Sequence, residues 1–240
     1  MLLEICANSF ESAINAQNAG AHRIELCVEL GVGGITPSFG MVEQVLACIN
    51  IPVFVLIRPR SGNFCYTKSE LSIMLSDIKT YKSMGCKGFV SGVLNPDHTI
   101  NISAVQQLID SCDSLPFTFH RAFDWTPSPI KAIDSLISLG VKRLLTSGQV
   151  ASALKGLDSL IKFNSYAANR MIIMPGGGVT SDNILKFKAN GFNEIHASAT
   201  TIKQHLTTSK VNMNSQKLIG ENISVTSNIQ TISKLIQIIK

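Results

Sequence analysis

The sequence predicts an α/β protein whose parallel strands close into one (β/α)8 barrel, the TIM-barrel architecture. Apolar, β-rich runs alternate with amphipathic helical stretches eight times along 240 residues, the pattern of parallel strands joined by helical crossovers. The chain is 45% hydrophobic and only 15% charged, a balance that suits continuous apolar strands buried on both faces and argues against disorder. Unusual polar residues also collect at the C-terminal ends of the strands, the rim where barrels of this type carry their sites.

The first unit is a strand over 2–6 and a helix over 10–19, closed by Gly20. The second strand, 23–27, repeats the first almost residue for residue and leads through Gly33-Gly34-Ile35-Thr36-Pro37-Ser38 into a helix over 39–48. The third, 52–58, is apolar from Pro52 to Ile57 and ends in Arg58; Ser69 then offers a cap for a helix over 70–84, with Gly85 after it. Strands over 88–92, 116–120 and 143–146 are followed by helices over 102–110, 128–139 and 151–166, with Gly140 closing the second of these. A strand over 171–174 precedes a helix over 182–189, capped by Ser181 and followed by Gly191. The eighth strand, 194–197, is short and has no clear helix of its own. Residues 206–217, rich in Thr, Ser and Asn, read as a loop. A last amphipathic helix covers 228–240, burying Ile229, Ile232, Leu235, Ile236 and Ile239. No linker or composition break divides residues 1–240, so one domain is expected. No G-x-G-x-x-G follows the first strand, which disfavours an open dinucleotide-binding sheet.

Leu3-Glu4-Ile5-Cys6 returns as Ile24-Glu25-Leu26-Cys27. Side chains alternate faces along a strand, so Glu4 and Cys6 share a face, as do Glu25 and Cys27. On neighbouring strands, two carboxylates and two thiols converge. Buried carboxylates are costly unless paired, protonated or bound to metal, and packing alone gives no reason to place them twice. A lone buried Cys is more often a small hydrophobe than a ligand, and either Glu has a structural ion pair as its plain alternative.

Other strand ends carry Arg58 and Arg60, His120, Arg121 and Asp124, Thr146 and Ser147, and His196 and Ser198. The two arginines around Pro59 suit a bidentate anion, or the neutralisation of Glu4 and Glu25. His120 is the natural acid/base candidate, with Asp124 to orient it or to pair with Arg121. His196 would approach Cys6 once the barrel closes. Gly176-Gly177-Gly178 ends strand seven and Thr146-Ser147-Gly148 ends strand six. In this fold, exposed N–H groups after strands seven and eight cradle phosphates. The bland alternative is a turn that needs glycine only for positive φ.

The net charge of +5 comes without a basic run or a stacking platform, so no nucleic-acid partner is expected. No apolar run approaches the roughly 18 residues of a membrane span, and the N-terminus shows no secretory leader, so no membrane partner is expected either. Six cysteines at positions 6, 27, 48, 65, 86 and 112 form no C-x-x-C pair. They fit reduced thiols of a cytoplasmic protein rather than a structural zinc site.

Read in order, several motifs resemble those of the CutC family of copper homeostasis proteins. They are Glu4-Ile5-Cys6, Gly20-Ala21-His22-Arg23-Ile24-Glu25-Leu26-Cys27, Gly33 to Ser38, Ile57-Arg58-Pro59-Arg60, Thr118-Phe119-His120-Arg121-Ala122-Phe123-Asp124, Leu145 to Gly148, Met174 to Gly178 and Glu194 to Ser198. The resemblance implies a cytoplasmic TIM barrel linked to copper handling and often homo-oligomeric. It also implies copper ligation by cysteines at the positions of Cys6 and Cys27. The chain departs from the pattern at His22, where the family usually has Asp, and at Asn63-Phe64-Cys65, in place of a Gly-Asp-Phe-like run.

Two functional readings follow. In the first, Cys6 and Cys27 hold Cu(I), which prefers soft thiolates, with His196 as a third ligand. In the second, the barrel is an isomerase-, lyase- or aldolase-like enzyme acting on a small anionic or phosphorylated substrate. Arg58, Arg60, Arg121, Ser147, Gly176, Gly177, Gly178 and Ser198 would then bind charge, and His120, Glu4, Glu25 and Asp124 would move protons. No lysine ends a strand, which argues against a Schiff-base aldolase. A pocket kept as a relic is the third possibility.

Overall fold

A computed structural model describes residues 1–204 and 223–240. Eight parallel strands form the barrel: β1 (Leu2–Ala7), β2 (Arg23–Leu26), β3 (Val53–Leu56), β4 (Gly88–Ser91), β5 (Phe117–Phe119), β6 (Arg143–Thr146), β7 (Ile172–Pro175) and β8 (Glu194–Ala197). Neighbours pair in chain order from β1 to β7, and β8 pairs with β1. β7 and β8 stand side by side and nearly close the circle.

Helices α1 (Phe10–Asn18), α2 (Phe39–Cys48), α3 (Lys68–Ser83), α4 (Ile102–Cys112), α5 (Pro129–Ser138), α6 (Leu157–Ala167) and α7 (Ile184–Ala189) alternate with the strands. Each turns an apolar stripe to the sheet, such as Ala104, Val105, Leu108 and Cys112 of α4. Among the described residues, no helix is long and apolar enough to cross a membrane.

Boundaries differ from the sequence reading where local hydrogen bonding decides them. Helix α3 starts two residues earlier, because Thr67 rather than Ser69 caps it in a reciprocal box with Glu70. Helix α6 starts at Leu157, since the preceding residues are spent on turns that tie strand ends together, including Ala153 N–H to the Gly177 carbonyl at 2.8 Å. Helix α7 starts at Ile184, since the Asn183 carboxamide is already engaged with the Thr180 N–H and the Gly178 carbonyl.

After β8 the chain makes a strand pair not expected from sequence: β9 (Thr200–Gln204) runs antiparallel to β10 (Ile223–Ser227). Asn8 and Asn15 donate to the Val225 and Ser227 carbonyls at 2.9 and 3.0 Å, fastening β10 to the top of β1 and to α1. The expected loop at 206–217 lies outside the described residues. Helix α8 (Ile229–Ile239) begins at the Asn228 cap and buries Ile232, Leu235, Ile236 and Ile239, with Ile229 partly buried.

Inside the barrel, side-chain parity sorts the polar groups into layers. Arg23, Arg143 and Glu194, each the first residue of its strand, meet at the N-terminal end. Glu194 accepts from Arg23 at 2.5 Å and from Arg143 at 2.6 Å, and both guanidiniums lie over the Phe54 ring. This layer is the floor beneath the site.

Candidate functional site

The register of the first two strands sets Glu4 beside Arg23 and Cys6 beside Glu25; on the other flank Glu4 lies beside His196. Three strands therefore bring one thiol, two carboxylates and one imidazole together. Ligand atoms of Cys6, Glu25 and His196 all lie within 4.8 Å of one another, and all three residues are buried. Cys27 adds a second sulfur, with its Sγ 3.4 Å from that of Cys6. The Cys6 thiol donates to Glu25 at 3.7 Å.

Protonation states differ sharply within this cluster. Burial opposes charge on Glu4, but its ion pair with Arg23 and its bond to His196 overcome burial and hold it at about 2. Glu25 has no arginine bonded to it, and burial, with Glu4 nearby, outweighs the pull of His196 and pushes it up to about 7. Burial also opposes charge on His196, yet Glu25, Cys6 and Glu4 outweigh it and raise its pKa well above normal. The neighbouring Cys27 thiol, then burial, then Glu25 raise Cys6 well above an ordinary thiol.

Above this cluster opens a cavity of about 210 Å³ at the C-terminal rim. Cys6, Glu25 and His196 form one wall; Arg58, His120, Arg121, Gly177 and Gly178 form the other, with Leu30, Leu56, Phe64 and Leu145 between. Arg58 does not neutralise Glu4 or Glu25. It is buried and donates to the carbonyls of Val32, Gly34 and Gly62 at 2.8, 2.8 and 2.9 Å, and its Nε has no partner among the described residues.

His120 is also buried, fitted against Gly92, where any Cβ would collide with the imidazole. Its Nδ1 accepts from the Ala122 N–H at 3.2 Å, so Nε2 carries the proton and has no acceptor among the described residues. Burial, with Arg58 nearby, lowers its pKa to about 3. His120 is thus a neutral donor, a narrower role than the proton shuttle expected from sequence.

Several expected site residues are used elsewhere. Asp124 does not orient His120. The short 3-10 helix Arg121–Trp125 turns its carboxylate toward the end of β6, where it accepts from Thr146, from the Ser147 and Gln149 N–H groups and from Arg121 at 2.8 Å. Ser147 is bound up in the same knot: its hydroxyl has the Val150 carbonyl and Asp124 within reach of its one proton and accepts from Arg121. Arg60 turns out of the cavity to Glu70 at 2.5 Å and to the Asn63 and Cys65 carbonyls. Gly176 packs against Leu145 and His196, and its N–H is taken by the Thr146 carbonyl. Glu4 lies below the cavity, fully buried in its ion pair, and acts as a support for His196.

Ser198 lines the cavity beside His196. Sequence reasoning missed the floor arginines and Glu194. Their signal was available: each opens a strand, with the parity that points inward.

Comparison with known proteins gives one consistent result. A model of the CutC family matches residues 1–201. A human relative described as a copper homeostasis protein cutC homolog is 43% identical over 203 residues, covering 84% of this chain and 74% of its own. A CutC family protein of Photorhabdus laumondii is 46% identical over 200 residues, covering 83% and 80%. A solved structure described as a copper homeostasis protein CutC from Streptococcus agalactiae superposes with a TM-score of 0.78 at 36% identity, covering 82% of this chain and 98% of that one.

Proposed function

The chain belongs to the CutC family, and from that premise we propose that it serves copper homeostasis by holding Cu(I) between Cys6 and Cys27 with His196 as a third ligand. The observation that carries this reading is the sulfur pair, 3.4 Å apart on adjacent strands, beside a histidine whose Nδ1 is already bound by Glu4 at 2.8 Å. Thiolates and imidazole are the donors Cu(I) prefers. A carboxylate behind the ligating histidine fixes which nitrogen is offered, and here that leaves Nε2.

Part of the same proposal is a cytoplasmic, homo-oligomeric protein. All six cysteines are free, which fits a reducing compartment. The test is competition with a chromophoric Cu(I) chelator. Wild type should retain the metal, and Cys6→Ser and Cys27→Ser should each lose most of that affinity. Unchanged affinity in both would overturn the copper reading.

Arg58 supports a second reading, an enzyme acting on a small anionic substrate through isomerase-, lyase- or aldolase-like chemistry. A buried guanidinium paired with no carboxylate is costly, and an anion in the cavity would relieve that cost. Copper explains neither Arg58 nor the unpartnered donor of His120.

A further inference from the structure

The wall opposite the thiols is built almost wholly of donors. Arg58 and His120 are buried, and each has one unpartnered N–H among the described residues. Arg121 lines the same cavity. Its Nε and Nη2 are held by Asp124 and Ser147, both at 2.8 Å, while Nη1 has no acceptor among the described residues. That Nη1 would lie 3.3 Å from a Cβ built on Gly177, so the turn after β7 passes directly beneath the guanidinium.

The turn itself adds backbone donors. Among the described residues, the N–H groups of Gly177, Gly178 and Val179 have no acceptor, nor does that of Ser198 after β8. Gly177 and Gly178 adopt φ of 101° and 73°, backbone that is open to glycine at little cost. Ring-free backbone at Gly177 also lets Arg121 close over it. Two arginines, one neutral histidine and a bend of amides without acceptors among the described residues line one small space, and no carboxylate on this wall is left to satisfy them.

We infer that this wall is a binding site for the phosphate group of a small phosphate monoester. Its phosphate sits beside the Gly177–Gly178 turn and the edge of the Arg121 guanidinium that closes over it, and its short carbon body extends past Phe64 and Leu56 toward Cys6. The inference deepens the second reading above by naming its substrate class. A tetrahedral dianion matches donors arriving from several directions, whereas a planar carboxylate would use only one fork of them. The loops after strands seven and eight are also where barrels of this architecture bind phosphate. The site is separate from the sulfur pair, so copper and ester do not compete for the same donors.

The test uses the full chain purified without copper. Glycerol 3-phosphate and inorganic phosphate are added at fixed ionic strength, with malonate and sodium chloride as comparisons. Binding is read by thermal unfolding and by phosphorus NMR of the ester. The phosphate compounds should raise the unfolding midpoint and broaden the phosphorus signal, and malonate should do much less. Arg121→Ala should weaken ester binding about tenfold or more, as expected for a charged donor. Arg121→Gln, which keeps a polar group beside Asp124, checks that loss of the charge and not of the fold is responsible; its circular dichroism should match wild type.

No phosphate effect beyond that of chloride overturns the inference, and so does equal binding by either Arg121 variant. Stabilisation by malonate but not by phosphate overturns the phosphate assignment while leaving an anion pocket, which separates its failure from that of the enzyme reading. Loss of Cu(I) in the cysteine variants bears on the copper reading alone.

Discussion

The Nδ1 of His196 lies 2.8 Å from a carboxylate oxygen of Glu4, whose other oxygen is ion-paired to Arg23. One buried carboxylate therefore sets both the floor of the barrel and the direction of the imidazole above it.

Replacing Glu4 should be felt at both levels. Glu4→Gln leaves the buried Arg23 with Glu194 as its remaining carboxylate. Breaking a buried pair of this kind costs about 3–5 kcal/mol, read as a lower urea midpoint. If His196 binds Cu(I), chelator competition on the folded variant should also show affinity lowered by about 10–100-fold, the usual effect of losing a carboxylate behind a metal-bound histidine.

The copper-free protein should become less stable from pH 5 to pH 8. Glu25 is raised from 4.5 to about 7 in the folded state, so between those values the native chain binds more protons than the unfolded chain. Its contribution is complete below the unfolded pKa and is lost as pH rises through the folded one. His196, also raised, acts in the same direction. The loss should be on the order of 1–3 kcal/mol. Urea titrations at several pH values should show this slope in wild type and a flatter one in Glu25→Gln. Glu4 has the opposite sign: its pKa is depressed to about 2, so its contribution is present above pH 4.5 and fades as pH falls toward 2.

Copper uptake should release protons. The Cys6 thiol is held well above its ordinary pKa by Cys27, burial and Glu25, and a thiol must lose its proton to ligate. Apparent Cu(I) affinity should therefore rise between pH 6.5 and 8, about tenfold per pH unit for each proton released. A pH-independent affinity would place the metal elsewhere.

The floor can be tested at Gly88, where a Cβ would come within 2.7–2.8 Å of the Phe54 ring. Both Arg23 and Arg143 lie over that ring, at 4.8 and 5.5 Å from its centroid. Gly88→Ala should cost about 1–3 kcal/mol by overpacking, measured by chemical denaturation.

The repeating units were readable because each strand carries a continuous apolar run and each helix its own periodic stripe. The polar strand ends were readable for the same reason: they interrupt those runs. What escaped was the direction of side chains on curved or tightly turned backbone. Asp124 faces β6 rather than His120 because a 3-10 turn intervenes, and strand periodicity carries no information about that turn. Arg60 leaves the cavity because Pro59 redirects the chain and Glu70, fixed in its capping box, waits outside. The β9–β10 pair was partly visible in Thr200-Thr201-Ile202-Lys203-Gln204 and Ile223-Ser224-Val225-Thr226-Ser227, both rich in β-branched residues. Eighteen residues outside the described structure separate the two strands, and no local signal joins partners so far apart.

The two thiols and most of the donors around the cavity come from different stretches of the chain. Both sulfur ligands sit before residue 28, whereas Arg121, the glycine turn and Ser198 all follow residue 120. All six cysteines precede residue 113. In the vocabulary of Lewis acids and bases, the thiolate donors come from the first half and most of the hard N–H donors from the second, and the barrel brings the two sets to one cavity. Oxidation of the thiols would strike the first half alone, so a chain that had lost its sulfur ligands to peroxide would keep its grip on an oxyanion.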